Sequence, residues 1–221
     1  MVNKALRAAA LMCVLVLTAC ADQLPPLNFS PPNIGVTSHR LDAELRSISV
    51  AIARPDEQTG ELDLFIAESA GTAAPTGNTV RSVWQQALQE ALNRSLIFND
   101  NPKRRLNLFV KIQKIDVPGL AASFTTDVAA RYELMDRGNG DIIFMSDVSS
   151  AGTVPGDYAF LGAVRARESV NRAVQNNITR FLQMLETVDL SKPMFPAGTP
   201  VPPPVIPKKE ENENLRQQED S

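Results

Sequence analysis

The chain has 221 residues, the size of one ordinary domain with extensions, and carries 22 Lys and Arg against 25 Asp and Glu for a formal charge of −3. That balance, with no basic cluster, excludes the electrostatic footprint of a nucleic-acid-binding protein. His39 is the sole histidine, and Cys13 and Cys20 are the sole cysteines. Zinc sites built from Cys and His are therefore excluded, as is Ser-His-Asp or Cys-His catalysis unless His39 serves alone.

The chain opens with Lys4 and Arg7, then an apolar stretch from Ala8 to Leu17. This is too short for a bilayer-spanning helix, which needs about 20 residues, but fits the apolar region of a secretory signal peptide. The stretch ends in Leu17-Thr18-Ala19-Cys20, which resembles the bacterial lipobox: an aliphatic residue, two small ones and a Cys. Small residues let the peptide lie extended in a protease groove. The thiol is the one side chain there nucleophilic enough to take a diacylglyceryl group as a thioether. The resemblance implies cleavage before Cys20, lipid on its sulfur, and a fatty acyl chain such as palmitate on its new amino group. Two or more acyl chains hold a protein stably on a membrane. Ala21 rather than Asp follows Cys20, which by the enterobacterial sorting pattern implies the outer membrane. Loss of residues 1–19 removes Lys4, Arg7 and Cys13, leaving 20 basic and 25 acidic residues and a formal charge of −5. No free thiol remains to form a disulfide.

Residues 20–46, with Pro25, Pro26, Pro31 and Pro32, read as the lipidated N-terminus and an extended tether. Its apolar residues Leu24, Leu27, Phe29 and Ile34 leave room for packing on the domain. Ile48, Val50 and Ile52 alternate with small residues and predict a first strand over 47–53, and Leu62, Leu64 and Ile66 predict a second. Val80, Val83, Trp84, Ala87, Leu88, Ala91 and Leu92 form one helical stripe, predicting a helix over 79–96 capped by Asn78 or Thr79. Trp84 lies on that stripe and reads as core. Three strands follow: Leu106 to Ile112, Phe124 to Leu134, and Ile142 to Val148. The last two are joined by the turn sequence Arg137-Gly138-Asn139-Gly140-Asp141. Asp127, Arg131 and Glu133 share the polar face of the middle strand. A final helix over 161–188 has an apolar face from Val170 to Leu185, with Asn177 expected at its margin.

The candidate sites read as structure. His39 lies in the tether. Asp136 and Asp141 flank a turn and are expected to be solvated turn formers rather than a calcium or acid–base pair. Arg165 and Arg167 are expected on a solvated helix face. Gly152, Gly156 and Gly162 match no phosphate-binding pattern and read as the loop into the last helix. No catalytic, cofactor or metal site is expected, and Cys20, as the lipidation site, is the single functional residue. The seven prolines over 193–207 and the polar run from Lys208 favour a polyproline segment and then a disordered tail over 191–221.

The expected organisation is a signal peptide (1–19), a lipidated tether (20–46), one domain (47–190) and a tail (191–221). The domain is an α+β two-layer sandwich of order β-β-α-β-β-β-α, a mostly antiparallel sheet with both helices on one face. The helix ending Ala87-Leu88-Gln89-Glu90-Ala91-Leu92-Asn93-Arg94-Ser95-Leu96-Ile97-Phe98, the strand Leu106 to Ile112, the hairpin and the closing Ala173 to Leu185 helix resemble YajG-type lipoproteins of Gram-negative bacteria. They more distantly resemble the small α/β domains of the curli-assembly lipoprotein and the TolB N-terminal domain. The resemblance implies a non-enzymatic envelope lipoprotein on the periplasmic face of the outer membrane, with an envelope protein complex as partner. An auxiliary role in lipid or ABC-type transport predicts an apolar groove between sheet and helices. A carboxylate-only enzyme predicts a cleft holding two carboxylates.

Overall fold

The computed structural model describes residues 24–68, 77–99, 102–119, 121–200, 202 and 203. Cys20, the expected signal peptide and the tail beyond 203 lie outside them. Four strands, β1 (Ala43–Ile52), β2 (Arg104–Asp116), β3 (Phe124–Asp136) and β4 (Ile142–Val154), form one sheet in the order β1-β2-β3-β4. β1 runs parallel to β2, while β2–β3 and β3–β4 are antiparallel. The parallel pair needs a crossover. It is made by a short helix α1 (Leu64–Glu68) and the amphipathic α2 (Asn78–Ser95), and α3 (Gly162–Leu185) follows β4.

Both long helices cover one face, giving the expected α+β sandwich. Tyr132 on β3 joins the layers. Its ring stacks on Phe181 of α3 at 4.1 Å, and its hydroxyl accepts from Trp84 Nε1 of α2 at 3.3 Å. The same hydroxyl donates to Asn177 Oδ1 at 2.8 Å, and Asn177 Nδ2 donates to the Val148 carbonyl at 2.7 Å. Asn177 is thus wholly buried rather than at the margin of its stripe. It satisfies a tyrosine hydroxyl that the core would otherwise strand, since an unpaired buried polar group is costly. Burial pushes the Tyr132 phenol far above its ordinary value of 10.0.

Five sequence expectations change. The alternation Leu62, Leu64, Ile66 does not give a strand: Leu62 makes one parallel bridge to Ile115, then Asp63 Oδ1 accepts from the Ile66 N–H and α1 begins. An Asp one residue before a helix competes successfully with the period-two pattern because it satisfies an orphan amide of the first turn. From Leu24 on, the expected tether is packed on the domain along the two long helices. Phe29 is fully buried, edge-on to Trp84 at 5.9 Å, and Asn28 is held by Asn171 and Gln175 of α3. Leu41 is core, and β1 begins at Ala43 rather than 47. Beyond α3 the chain also stays docked: Phe195 pairs antiparallel with Ile142, and the Pro202 carbonyl accepts from Arg131. The helix over 78–95 takes Gly77, at φ +74°, as its N-cap residue in place of the expected Asn78 or Thr79.

Candidate functional site: the open face of the sheet

Strand alternation sends Leu108, Val110, Ile112, Ala130, Tyr132 and Val148 to the helices. The outward residues line up in two rows. Register places Ala51, Lys111, Arg131 and Asp147 across the four strands, and Ser49, Phe109, Glu133 and Met145 beside them. Lys111 and Arg131 are thus like charges directly opposite, which is unfavourable alone. Each is held by its own carboxylate. Arg131 grips Asp147 through Nε and Nη2, both at 2.7 Å, and Lys111 Nζ reaches Glu57 at 2.6 Å.

Glu57 comes from a 3-10 turn (Pro55–Glu57) that follows β1 and leans over the sheet. The Lys111 ammonium, then the Arg54 backbone N–H, hold its carboxyl at about 2, below the ordinary 4.5. Gln113 sits at the β2 bulge between Ile112 and Lys114, and its Nε2 donates to Asp147 Oδ1 at 3.1 Å. Gln113 keeps the outward parity of Phe109 and Lys111, and the bulge shifts the inward set from the even positions, which end at Ile112, to Ile115. Between these groups lies a concavity of about 520 Å³, floored by Ser49, Ala51, Phe109 and Lys111 and overhung by Pro202 and Pro203. Phe109 is 38% exposed there. The face combines paired charges, one exposed aromatic ring and two prolines already lying against it. Those features suit recognition of an extended chain by polar contacts around an apolar anchor.

The sequence-level candidates fall elsewhere. His39 is exposed in the segment before β1. Asp136 is buried rather than solvated: it pairs with Arg104 at 3.3 Å and accepts from the Gly138 N–H at 2.7 Å. Asp141 accepts from Asn139 and from the Ala197 N–H, tying the docked C-terminal segment to the hairpin. Neither Arg165 nor Arg167 lies on a freely solvated face. Arg167 is 5% exposed and donates to the Ile66 and Pro25 carbonyls. Arg165 donates to the Ala159 carbonyl and lies 5.5 Å over the Phe124 ring. Gly152 lies in β4, not in a loop, pressed against the α3 backbone. Among the described residues, no group of three or more His, Cys, Asp and Glu is placed to hold a metal ion. Arg131 and Glu133 were legible as outward residues. Glu57, Lys111 and Asp147 were not singled out, although Asp147 stands one place before inward Val148.

No family model matches the chain, and no curated protein matches it. Solved structures of related shape include protein XCC0632 from Xanthomonas campestris, assigned to the family model DUF330. It has 10% identity and a TM-score of 0.45, with 72% of this chain and 91% of that chain covered. Protein CT253 from Chlamydia trachomatis matches with 9% identity, TM-score 0.41, and coverage of 65% and 96%. Lipoprotein GNA1162 from Neisseria meningitidis matches with 11% identity, TM-score 0.26, and coverage of 62% and 98%. At these scores the likenesses say nothing about what this chain does. Among the described residues no helix is long and apolar enough to cross a membrane.

Proposed function

We propose that this chain is a bacterial lipoprotein, acylated on Cys20 and held at the periplasmic face of the outer membrane, whose domain binds an envelope protein through the open face of its sheet. The anchor rests on the signal-peptide pattern ending at Cys20. The observation that supports the binding face is the concavity between Phe109, Lys111 and Arg131, where Arg131 donates to the Pro202 carbonyl at 2.9 Å. A groove that already takes a proline-rich backbone through a side-chain donor has the chemistry to take another extended segment. Binding is favoured over catalysis because Lys111 with Glu57 and Arg131 with Asp147 are already engaged in ion pairs. An auxiliary role in lipid transport is the weaker reading, because Trp84, Tyr132 and Phe181 fill the centre of the space between sheet and helices, and the apolar groove among Leu62, Phe65, Val117 and Ala163 lies only at its end.

A photo-crosslinker at Phe109 or Ser49 in intact cells tests this, with Cys20→Ser as control. Capture of one envelope protein, lost with Cys20→Ser and absent when the crosslinker sits at exposed His39, is the expected result. Equal capture from all three positions would overturn the sheet-face assignment. Release of the unaltered chain from membranes by high salt alone would overturn the lipid anchor.

A further inference from the structure

Large exposed apolar side chains gather at one end of the sheet. Phe160 is 98% exposed at the tip of the loop before α3, with Phe65 at 59%, Tyr158 at 48% and Leu161 at 38% nearby in sequence or across α1. An apolar groove of about 710 Å³ lies at the same end, between α1, the end of β2 and the first turns of α3, lined by Leu62, Phe65, Val117, Phe124 and Ala163. A loop-tip Phe with almost its whole surface in water marks a contact surface. The loop is not slack: Arg165 donates to the Ala159 and Phe160 carbonyls, and Arg172 lies 5.2 Å over the Tyr158 ring. These aromatic groups are held outward by the first turns of α3.

The chain's own course says what covers them. One guanidinium, that of Arg167, donates to both the Ile66 carbonyl in the groove wall and the Pro25 carbonyl at 3.0 and 3.3 Å. The packed N-terminal segment therefore emerges at this end of the domain. Cys20 precedes Leu24 by four residues, and four residues span at most about 14 Å. Lipid on Cys20 thus brings the bilayer within that reach of Leu24, beside the exposed rings.

We propose that the Phe65, Tyr158, Phe160 and Leu161 end of the domain rests on the lipid bilayer that holds Cys20. This rests on the lipoprotein reading. Phe160 and Phe65 enter the acyl boundary, and Tyr158, with an apolar ring and a polar tip, sits at headgroup level. Glu61, Asp63 and Asp157 flank the patch, so the contact is apolar and does not weaken as salt rises. The strands then stand away from the membrane, with the Gly138-Asn139 turn at the far end of β3, about 40 Å distant for a strand of this length.

The test uses the purified full mature chain in vesicles of phosphatidylethanolamine and phosphatidylglycerol. The Cys20 sulfur is occupied by lipid, so a Cys introduced at 160 is the one thiol available to an environment-sensitive fluorophore. Phe160→Cys and Phe65→Cys are expected to be quenched at least three-fold more by spin-labelled lipid than Asn139→Cys. Equal quenching at all three positions, in protein that still floats with the vesicles, overturns the bilayer contact and leaves the anchor standing. Failure of every variant and of the unaltered chain to float overturns the anchor, and with it the contact.

Discussion

Replacing Gly152 with alanine tests how closely the sheet and α3 approach. Gly152 pairs with Thr126 in the register of β3 and β4, and α3 crosses directly over it. A Cβ there falls 2.2 Å from Ala173 N, 2.4 Å from the Ser169 carbonyl oxygen and 2.8 Å from Ala173 Cα. These are backbone atoms of a helix and cannot rotate away. Restoring an ordinary contact of about 3.4 Å requires the helix to lift by more than 1 Å locally, and a close-packed interior transmits such a shift. Overpacking costs about 1–3 kcal/mol. The lift also strains the Ser150 hydroxyl bond to the Ala173 carbonyl at 2.8 Å and the Asn177 bond to Val148, each worth about 1 kcal/mol. The expected loss is therefore about 3–5 kcal/mol in urea-induced unfolding, or about 10 °C in Tm for a chain of this size. Gly35, whose added Cβ meets nothing within 4 Å, is the control, and Gly35→Ala is expected to change stability by less than about 0.5 kcal/mol. A Gly152→Ala loss below about 1 kcal/mol with an unchanged m-value would refute the close approach.

Further predictions concern the buried network, titration and the sheet face. Asn177→Leu leaves the Tyr132 hydroxyl without its acceptor and is expected to cost about 2–3 kcal/mol in urea unfolding. Combined with Tyr132→Phe it should cost at least about 1 kcal/mol less than the sum of the single changes, and strict additivity would argue against the bond. Tyr132 is held neutral by burial while its unfolded counterpart ionises near 10.0. Stability should therefore fall as pH rises above that value, and Tyr132→Phe should flatten the alkaline limb. Glu57 is held at about 2 in the folded chain against an ordinary 4.5. Its contribution is complete above 4.5 and is lost as pH falls toward 2, so Glu57→Gln should shallow the acid limb in the same window.

The elements legible in the sequence are those whose burial follows a local period. The Val80 to Leu92 stripe and the Phe124 to Leu134 alternation each face a single layer, so their apolar spacing repeats with the backbone. The segment around Phe29 has no such repeat. It runs extended along the helices, and its one anchoring ring is buried by Trp84, 55 places further along the chain in sequence. Arg167 and Asn177 misled for a related reason. A polar residue on a helix stripe looks marginal until its partners are known, and those partners, the Ile66 carbonyl and the Tyr132 hydroxyl, lie 101 and 45 residues away. The polar sheet face shows both cases. Arg131 and Glu133 declared themselves by alternation, whereas the Glu57–Lys111 pair depends on a turn folding back over β2 across 54 residues.

The edges of the sheet explain why a partner is assigned to the face rather than to β4. An outer strand offers a row of unpaired backbone groups and invites another strand. On β4 that row is occupied by α3: Arg172 donates to the Thr153 carbonyl, Asn176 to Ala151 and Arg180 to Ser149. Donors four apart on a helix rise by about 6 Å, and carbonyls two apart on a strand by about 6.8 Å, so one helix face serves alternate carbonyls in step. The start of β4 is closed separately by Phe195 on Ile142. Replacing Arg172, Asn176 and Arg180 together with alanine should uncover the three carbonyls while leaving the apolar face of α3 untouched. The variant is expected to remain folded by near-ultraviolet circular dichroism and to self-associate in light scattering at concentrations where the unaltered chain is monodisperse. A variant that stays monodisperse would show that these side chains do not guard the edge, and β4 would then compete with the open face as the place where a partner strand adds.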